Sequence, residues 1–450
     1  MPSAAWYSIT ALHYCNGVDV RRADEEACRM RPVTPRGFRD VLLQEAAERE
    51  ALVSSLLGAI DAWGYAPVAT PVVEEYRTLE TGAGGPLEGT AFRLLDVDGS
   101  LLALRPEMTV PIARLVAMRL SAEEGPQRLR YAADVYREHE SLRGEARQFT
   151  QVGVELVGAS GPAADAEVIA VLVDALDAAG LAEFTVSVGT VAVLRAVLEA
   201  SGAPAPWRAE VMEAAHGRNL VALDRLAGLE GLPGQVASAV REVPRLRGGA
   251  EAIDACRTHA AACGCAAALD DLAATWRLLD AAGVQDSVRV DFGVMRAFDY
   301  YTGLVIEAYA PGLGVPLGGG GRYDGVLARF GTPAPAAGFA LGLERVHIAL
   351  AEQGTGVRVR ELDAVLGGQD PAAVLAAARV LREAGWRVRV APGETGSALA
   401  RAAGTAEAAE ALEVRDGAVV RVDRSGGPAL PLGEPVPAPP SSTWAAGGGR

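Results

Sequence analysis

Residues 136–158 read YREHESLRGEARQFTQVGVELVG, and the end of this stretch decides the local fold. From position 151 onward, apolar residues alternate with other types, which is the two-residue period of a β-strand. One face carries Val152, Val154 and Leu156, and the other carries Gln151, Gly153 and Glu155. Two polar groups beside a glycine suit a ligand-binding floor, because the glycine leaves room for a ligand. The pattern fits a solvated sheet face equally well, so both interpretations stay open.

The segments around this strand switch between strand and helix periodicity. The predicted strands or extended segments are 66–75, 101–104, 128–137, 184–188, 287–294 and 303–310. The predicted helices are 39–65, 165–180 with Asp165 as N-cap, the helical region of about 191–285, and 342–354. The glycine run GGGGRYDG (318–325) predicts a tight turn. Strands that follow one another in hairpin-like order favour an antiparallel α+β core.

The C-terminal part has a different pattern. DAVLGG (363–368), a helix over 371–385 and WRVRVAP (386–392) predict a β–α–β unit, followed by a further helical stretch over 397–412. The predicted division is an N-terminal extension, disordered or not native (1–31), a core (32–351), a small α/β domain (352–424) and a flexible tail (425–450).

Composition excludes several classes of function. The chain has 42 Lys and Arg together and none is Lys, so Schiff-base chemistry and a standard P-loop are excluded. A net charge of −15 argues against a protein held on nucleic acid by phosphate contacts. The five Cys residues form no zinc pattern and predict reduced thiols. Without a bilayer-length apolar run or a signal-peptide pattern, the expected location is the cytoplasm, away from membranes.

Four collinear segments carry a family resemblance. They are RPEMT (105–109), the opening stretch (136–155), MRAFDYYTG (295–303) and the stretch from GGGRYDG to GFALGLERV (319–346). Together they resemble the class II aminoacyl-tRNA synthetase core, in its histidine–tRNA ligase branch, over about residues 32–350. The resemblance implies an antiparallel sheet flanked by helices, with a helical insertion at about 191–285.

The same resemblance implies a complete pocket for histidine. Glu107 would take the α-amino group beside Thr109, while Arg137 and Gln151 would address the carboxylate. Glu155 would accept a hydrogen bond from the imidazole. Arg296, Tyr300 and Tyr301 would close the site around the ring and the carboxylate. Such directed partners are what a desolvated zwitterion with a two-nitrogen ring requires.

The residues at the positions that bind ATP in ligases depart from the ligase pattern. His139 stands where ligases have a Glu on the adenine side, and Glu145 stands where they have a phosphate-binding Arg. A carboxylate about 4 Å from a phosphate repels it by about 1 kcal/mol in water and by more in a buried site. Arg345 remains as a residual nucleotide-site residue. The branch also contains non-ligase relatives, the regulatory subunits of ATP phosphoribosyltransferase. YAPGLGVPLGGGGRYDGVLARFG (309–331) followed by PAAGFALGLERV (335–346) resembles those subunits more closely than the ligases.

The resemblance to those subunits implies a non-catalytic protein that binds L-histidine for feedback inhibition in histidine biosynthesis. It implies assembly with the short-form ATP phosphoribosyltransferase catalytic subunit, a homodimer within that complex, no tRNA, no metal and no cofactor. The alternative is an active histidine–tRNA ligase, which would need Arg137, Arg296 and Arg345 to hold ATP. A free histidine sensor with another partner is a third interpretation.

Overall fold

The computed structural model describes residues 33–85, 87, 89–138, 146–294, 301–357, 359, 361–422, 430–431 and 439. Several sequence predictions therefore lie outside the described residues. These are the extension at 1–31, the substitutions at His139 and Glu145, the site residues Arg296 and Tyr300, and most of the tail.

The described residues form strands and helices in the following order. The strands are β1 (Ala66–Pro67), β2 (Val73–Glu75), β3 (Arg93–Leu95), β4 (Leu101–Leu104), β5 (Gln127–Tyr136), β6 (Gln148–Val157), β7 (Thr185–Thr190), β8 (Arg247–Gly248), β9 (Val288–Asp291), β10 (Leu304–Tyr309), β11 (Gly318–Arg322), β12 (Ala336–Gly342), β13 (Ala364–Gly368), β14 (Val388–Pro392), β15 (Glu410–Arg415), β16 (Ala418–Arg421) and β17 (Leu430–Pro431). The helices are α1 (Leu43–Ala62), α2 (Tyr76–Ala83), α3 (Thr109–Leu115), α4 (Gly161–Ala178), α5 (Ala192–Ala200), α6 (Ala205–His216), α7 (Leu220–Leu226), α8 (Gly234–Glu242), α9 (Ala250–Ala262), α10 (Asp270–Ala281), α11 (Leu343–Glu352), α12 (Pro371–Glu383) and α13 (Gly396–Thr405).

A nine-stranded sheet forms the centre of the main unit. Its order is β1-β5-β6-β12-β11-β10-β7-β9-β8. The pairs are antiparallel except β1 with β5 and β7 with β9. The predicted antiparallel α+β core is therefore confirmed. Helices α5 to α10 occupy the interval between β7 and β9, where the helical insertion is expected.

The two faces of the sheet have different environments. On one face, Thr150 of β6 contacts both α1 and α11, because Arg49 donates to its Oγ1 (2.9 Å) and its N–H donates to Glu344 (3.1 Å). Val152, Val154 and Leu156 share that face and are fully buried in the main hydrophobic core. The opposite face of β6 is left for the candidate site.

Two smaller sheets complete the described fold. Strands β2, β4 and β3 form a three-stranded antiparallel sheet. In the C-terminal part, parallel strands β14, β13 and β15 are extended by antiparallel β16 and β17. The β–α–β pattern at 363–392 is present there as β13, α12 and β14. No helix within the described ranges is both long and apolar enough to cross a membrane.

The glycine run was predicted as a tight turn, and that prediction is wrong. Gly318–Arg322 is strand β11, between β10 and β12. A Cβ added at Gly318 would lie 2.2 Å from the carbonyl oxygen of Ala340, and one at Gly320 would lie 1.9 Å from that of Gly338. Neighbouring backbone comes so close that only glycine fits, which is one recognised reason for glycine inside a strand.

Three further boundaries differ from the sequence prediction. The helix predicted over 397–412 ends at Thr405, and β15 starts at Glu410. Leu430–Pro431, in the predicted tail, pairs with β16. Asp165 is not an N-cap, because α4 begins at Gly161 and the Asp165 carboxylate instead accepts two hydrogen bonds from Arg322 (2.9 and 2.6 Å).

Candidate functional site

The floor of the site is the polar face of β6. Glu155 is 1% exposed, and its two carboxylate oxygens accept hydrogen bonds from Thr109 Oγ1 (2.9 Å) and from the Tyr323 hydroxyl. Gln151 is 8% exposed, and its Oε1 has no hydrogen-bond partner among the described residues. The interpretation of this face as a solvated sheet surface is therefore wrong. A buried amide oxygen without a partner is unfavourable unless a ligand or water donates to it.

Glycines hold the floor open. A Cβ at Gly153 would lie 2.1 Å from the carbonyl oxygen of Phe339, and one at Gly338 would lie 2.1 Å from Glu155 Oε2. Side chains at these positions would also fill the space above the sheet. The floor is consequently made of backbone, two directed polar side chains and the buried phenol of Tyr131.

One end of the site is set by the start of α3. The Glu107 carboxylate accepts hydrogen bonds from the backbone N–H groups of Thr109 (2.6 Å) and Val110 (2.9 Å). These bonds satisfy donors that the first helical turn leaves unpaired and fix the direction of the carboxylate. Burial raises the pKa of Glu107 above its ordinary value, while the two N–H donors and nearby Arg137 oppose that rise.

Arg137 follows directly after β5 and lies near Glu107. Its Nε donates to the carbonyl oxygen of Pro106 (2.9 Å), and its guanidinium carbon lies 5.1 Å from the centre of the Phe149 ring. A backbone hydrogen bond and a cation–π contact orient the guanidinium plane. The site thus places a carboxylate and a guanidinium close together.

These elements line one cleft. Of the predicted site residues, five line it: Glu107, Thr109, Arg137, Gln151 and Tyr301. Glu155 lies beneath that lining, bonded to Thr109 and Tyr323. Arg345 is elsewhere: it is exposed on α11 and donates to the carbonyl oxygen of Pro316 (2.8 Å).

The pKa of Glu155 is unusually high for a carboxyl group. Burial raises its pKa to about 8, despite the hydroxyl groups of Tyr323 and Thr109, which favour the ionised form. The charge of Glu107 adds to the rise. At neutral pH most of the Glu155 carboxyl in the empty cleft is therefore protonated. A cationic ligand group placed against it would favour ionisation.

Sequence reasoning missed Tyr323 and Tyr131. Tyr323 donates to Glu155, and the Tyr131 hydroxyl lies 3.5 Å from the carbonyl oxygen of Phe339. Tyr131 shares a face with Gly153, its cross-strand partner, and alternation along β5 could have placed it there. Tyr323 could not be found in this way because the run before it was interpreted as a turn. Within the described ranges, no group of three or more His, Cys, Asp or Glu is placed to hold a metal ion.

Comparisons with known proteins identify the family. The model of the histidyl-tRNA synthetase family matches residues 37–346, so the chain belongs to that family. Within it, the chain is 44% identical over 372 residues to an ATP phosphoribosyltransferase regulatory subunit of Moorella thermoacetica, covering 82% of this chain and 95% of the relative. It is 41% identical over 369 residues to the protein of the same name from Symbiobacterium thermophilum, covering 80% and 92%.

A solved structure agrees with these relatives. The crystal structure of an "ATP phosphoribosyltransferase regulatory subunit/histidyl-tRNA synthetase" from Bacillus halodurans matches with a TM-score of 0.72 and 30% sequence identity, covering 83% of this chain and 96% of the other. The fold of the chain is thus the class II aminoacyl-tRNA synthetase fold, and its curated relatives carry the name of a regulatory subunit.

Proposed function

We propose that the chain is a histidine-binding regulatory subunit of ATP phosphoribosyltransferase and has no aminoacylation activity of its own. It assembles with the short-form catalytic subunit, which needs it for activity, and histidine bound in the cleft inhibits the assembly. The homodimer expected within the complex is part of this proposal. The observation that carries it is the buried Oε1 of Gln151, which has no hydrogen-bond partner among the described residues and belongs to a residue that lines the same cleft as Glu107 and Arg137.

The polar groups of the cleft suit the three polar parts of histidine. Glu107 accepts from an ammonium group, and Arg137 donates to a carboxylate. Gln151 Oε1 supplies the acceptor for a further N–H donor, and Glu155 lies below as a partner for the imidazole. Each Glu155 oxygen accepts one hydrogen bond from a hydroxyl group. Because a carboxylate oxygen can accept two hydrogen bonds, each can still accept one from the ligand. A ligand that lacks one of these groups would leave a buried polar atom unpaired.

The absence of ligase activity is supported by sequence and charge. Glu145 stands where ligases have a phosphate-binding Arg, and Arg345 is not among the residues that line the cleft. Residues 361–422 contain seven Arg against nine Asp and Glu, with no Lys. Such a balance disfavours binding of tRNA through its phosphates.

Inhibition requires that histidine binds the inactive assembly more tightly than the active one. A coupling free energy of about 1–3 kcal/mol would change affinity by roughly 5- to 150-fold. By reciprocity, the substrates of the catalytic subunit weaken histidine binding by the same factor.

The test combines two measurements on the purified chain. Calorimetry measures histidine binding, and histidine-dependent ATP–pyrophosphate exchange measures ligase activity. Binding without exchange, followed by histidine-sensitive activation of an added short-form catalytic subunit, is the expected result. Exchange at a ligase-like rate would establish the alternative, an active histidine–tRNA ligase.

Gln151→Ala provides the first site-specific prediction. The substitution removes the unpartnered acceptor, so histidine affinity falls about tenfold or more, in line with a lost buried hydrogen bond of about 1.5 kcal/mol. Gln148→Ala is the matched control, because Gln148 lies on the same strand but bonds Asp134 (2.9 Å) on the other face. Equal histidine affinities for the two variants, measured by calorimetry, would show that Gln151 does not contact the ligand.

A further inference from the structure

One backbone N–H of β6, beside the candidate site, is bound by a side chain instead of a neighbouring strand. The pairing between β6 and β12 ends at Gln151 and Gly342, because α11 begins at Leu343. The adjacent residue of β6 is Thr150, and its N–H donates to both oxygens of the Glu344 carboxylate (3.1 and 3.2 Å). The Glu344 carboxylate therefore takes the position of a strand partner at the point where β12 has ended.

Glu344 makes two different kinds of contact. It lies in the first turn of α11, where the N-terminal N–H groups of a helix favour a negative charge. Its Oε1 accepts a hydrogen bond from Arg49 (2.6 Å), an ion pair that joins α11 to α1. Both of its oxygens also accept the N–H of Thr150, a residue that is 9% exposed. Without an acceptor at this position, a largely buried backbone donor would be unpaired, which is unfavourable.

The residue that Glu344 binds is the direct neighbour of Gln151. Because side chains alternate along a strand, Thr150 points towards α1 and α11, whereas Gln151 lines the cleft. The Oε1 of Gln151 has no hydrogen bond within the described part of the chain that would fix its direction. Its position therefore depends on the backbone of β6, which is paired with β5 along one edge and bound by Glu344 at the other.

We propose that Glu344 is a positioning residue for histidine binding. Its hydrogen bond to the Thr150 N–H holds β6 where the Oε1 of Gln151 reaches the ligand. Glu344 is not among the residues that line the cleft, so it acts through the strand and does not contact histidine. The inference rests on the proposed function and adds a residue on the opposite face of the sheet. Its effect on binding follows the acceptor oxygen and not the ion pair with Arg49.

Three variants of the full chain separate the acceptor from the ion pair. Glu344→Met removes both, and Glu344→Gln keeps an acceptor oxygen at the same reach but removes the charge. Arg49→Met breaks the ion pair from the other end and leaves the carboxylate in place. We expect L-histidine affinity to be about tenfold weaker for Glu344→Met and within about threefold of the parent chain for the other two. Calorimetry measures the affinities and urea denaturation verifies folding, with Glu344→Ala used if Glu344→Met does not fold.

A double-mutant cycle tests the route through Gln151. In a Gln151→Ala background there is no acceptor left to misplace, so Glu344→Met is expected to change L-histidine affinity by less than about threefold. A role of Glu344 in stability alone would give the same loss of affinity in both backgrounds.

The outcomes separate this inference from the proposed function. Unchanged affinity in Glu344→Met overturns the positioning role and leaves the proposed function standing. Equal weakening by Glu344→Gln or by Arg49→Met, or an equal loss with and without Gln151, overturns the positioning role as well. Failure of L-histidine to bind the parent chain overturns the proposed function instead.

Discussion

At the scale of single residues, Glu155 determines how the cleft responds to pH. Its pKa of about 8 means that the empty site carries a proton on this carboxyl at neutral pH. A free imidazole has a pKa of about 6.5 and is mostly neutral there. When the ring binds beside Glu155, one proton is available to both groups. An imidazolium–carboxylate pair can then form without exchange of protons with solvent.

This arrangement predicts the pH dependence of histidine binding. Between about pH 6.5 and 8, Glu155 of the empty protein is protonated and the free imidazole is neutral, so together they hold one proton. The complex also holds one proton in these two groups. Histidine affinity is therefore independent of pH in this range. Below about pH 6.5, both Glu155 and the free imidazole are protonated before binding, and binding releases one proton. Histidine affinity therefore falls as pH falls. Above about pH 8, neither Glu155 nor the free imidazole is protonated before binding, and binding takes up one proton. Histidine affinity therefore falls as pH rises. Calorimetry in buffers of different ionisation enthalpy measures these protons.

Glu155→Gln is the control for that prediction. The substitution keeps the size of the side chain and removes its titration, so the proton taken up at pH 8.5 through Glu155 disappears. The α-amino group of the ligand titrates equally in both proteins and cancels in the comparison. An identical proton count for both proteins at pH 8.5 would contradict the proposed contact between Glu155 and the ring.

At the scale of secondary-structure elements, β11 depends on its glycines. Gly320→Ala would place a Cβ 1.9 Å from the carbonyl oxygen of Gly338, so β11 and β12 must separate. We expect the free energy of unfolding to fall by about 3 kcal/mol, at the upper end of overpacking effects. Gly325→Ala is the matched control, because nothing lies within 4 Å of a Cβ there. Urea denaturation of both variants measures the difference, and equal stabilities would contradict the observed packing.

A buried ion pair joins α4 to β11. Arg322 and Asp165 are 7% and 5% exposed, and two hydrogen bonds link them. Arg322→Met leaves a buried carboxyl without its partner and lowers the free energy of unfolding by about 3–5 kcal/mol. Combining it with Asp165→Leu restores much of that stability, because no buried charge remains. A double-mutant cycle from denaturant titrations checks this, and additive losses would show that the two residues are not coupled.

The sequence predicted elements well where side chains alternate and poorly where they do not. Alternation of Val and polar residues located β6, and its apolar face lies in the main core as the pattern implies. The glycines of β11 carry no side-chain alternation, and local turn preference led to the wrong assignment. Asp165 has the residue type of an N-cap, but its real partner, Arg322, lies 157 residues away. Long-range pairing of this kind cannot be inferred from local spacing.

The residues of the candidate site were likewise predicted where a sequence motif contains them and missed where distant strands bring them together. Residues within recognisable motifs, such as Glu107, Arg137 and Gln151, do line one cleft. Tyr323 was missed because its contact with Glu155 depends on the register between β11, β12 and β6.

At the scale of the whole molecule, the hydrophobic residues form separate packed groups. The largest extends from Leu52 to Leu350, whereas the cores of the C-terminal part lie between Ala364 and Val419. The described residues that line the cleft lie between Glu107 and Ala340, all within the main unit. The boundary at 351–352 remains a sequence prediction, and this division of the cores supports it.

A truncation tests that division. A chain that ends at Val357, the last of the described residues that packs against the main core, is expected to bind histidine with affinity within about twofold of the full chain. Calorimetry on both chains measures the affinities, with thermal unfolding to verify that the shorter chain is folded. A folded, truncated chain with much weaker binding would show that the C-terminal part shapes the cleft.

The glycines of β11 also limit which mutations can change the ligand preference of this protein. A mutation that adds a side chain at Gly318 or Gly320 meets backbone atoms within 2.2 Å, so it disturbs the sheet before it can alter ligand preference. Substitutions that retain the fold are thus expected at positions other than these glycines. New ligand specificities in descendants of this chain would arise by changes around an unchanged floor. We therefore expect the glycines of the floor to persist in such descendants while the side chains around them change.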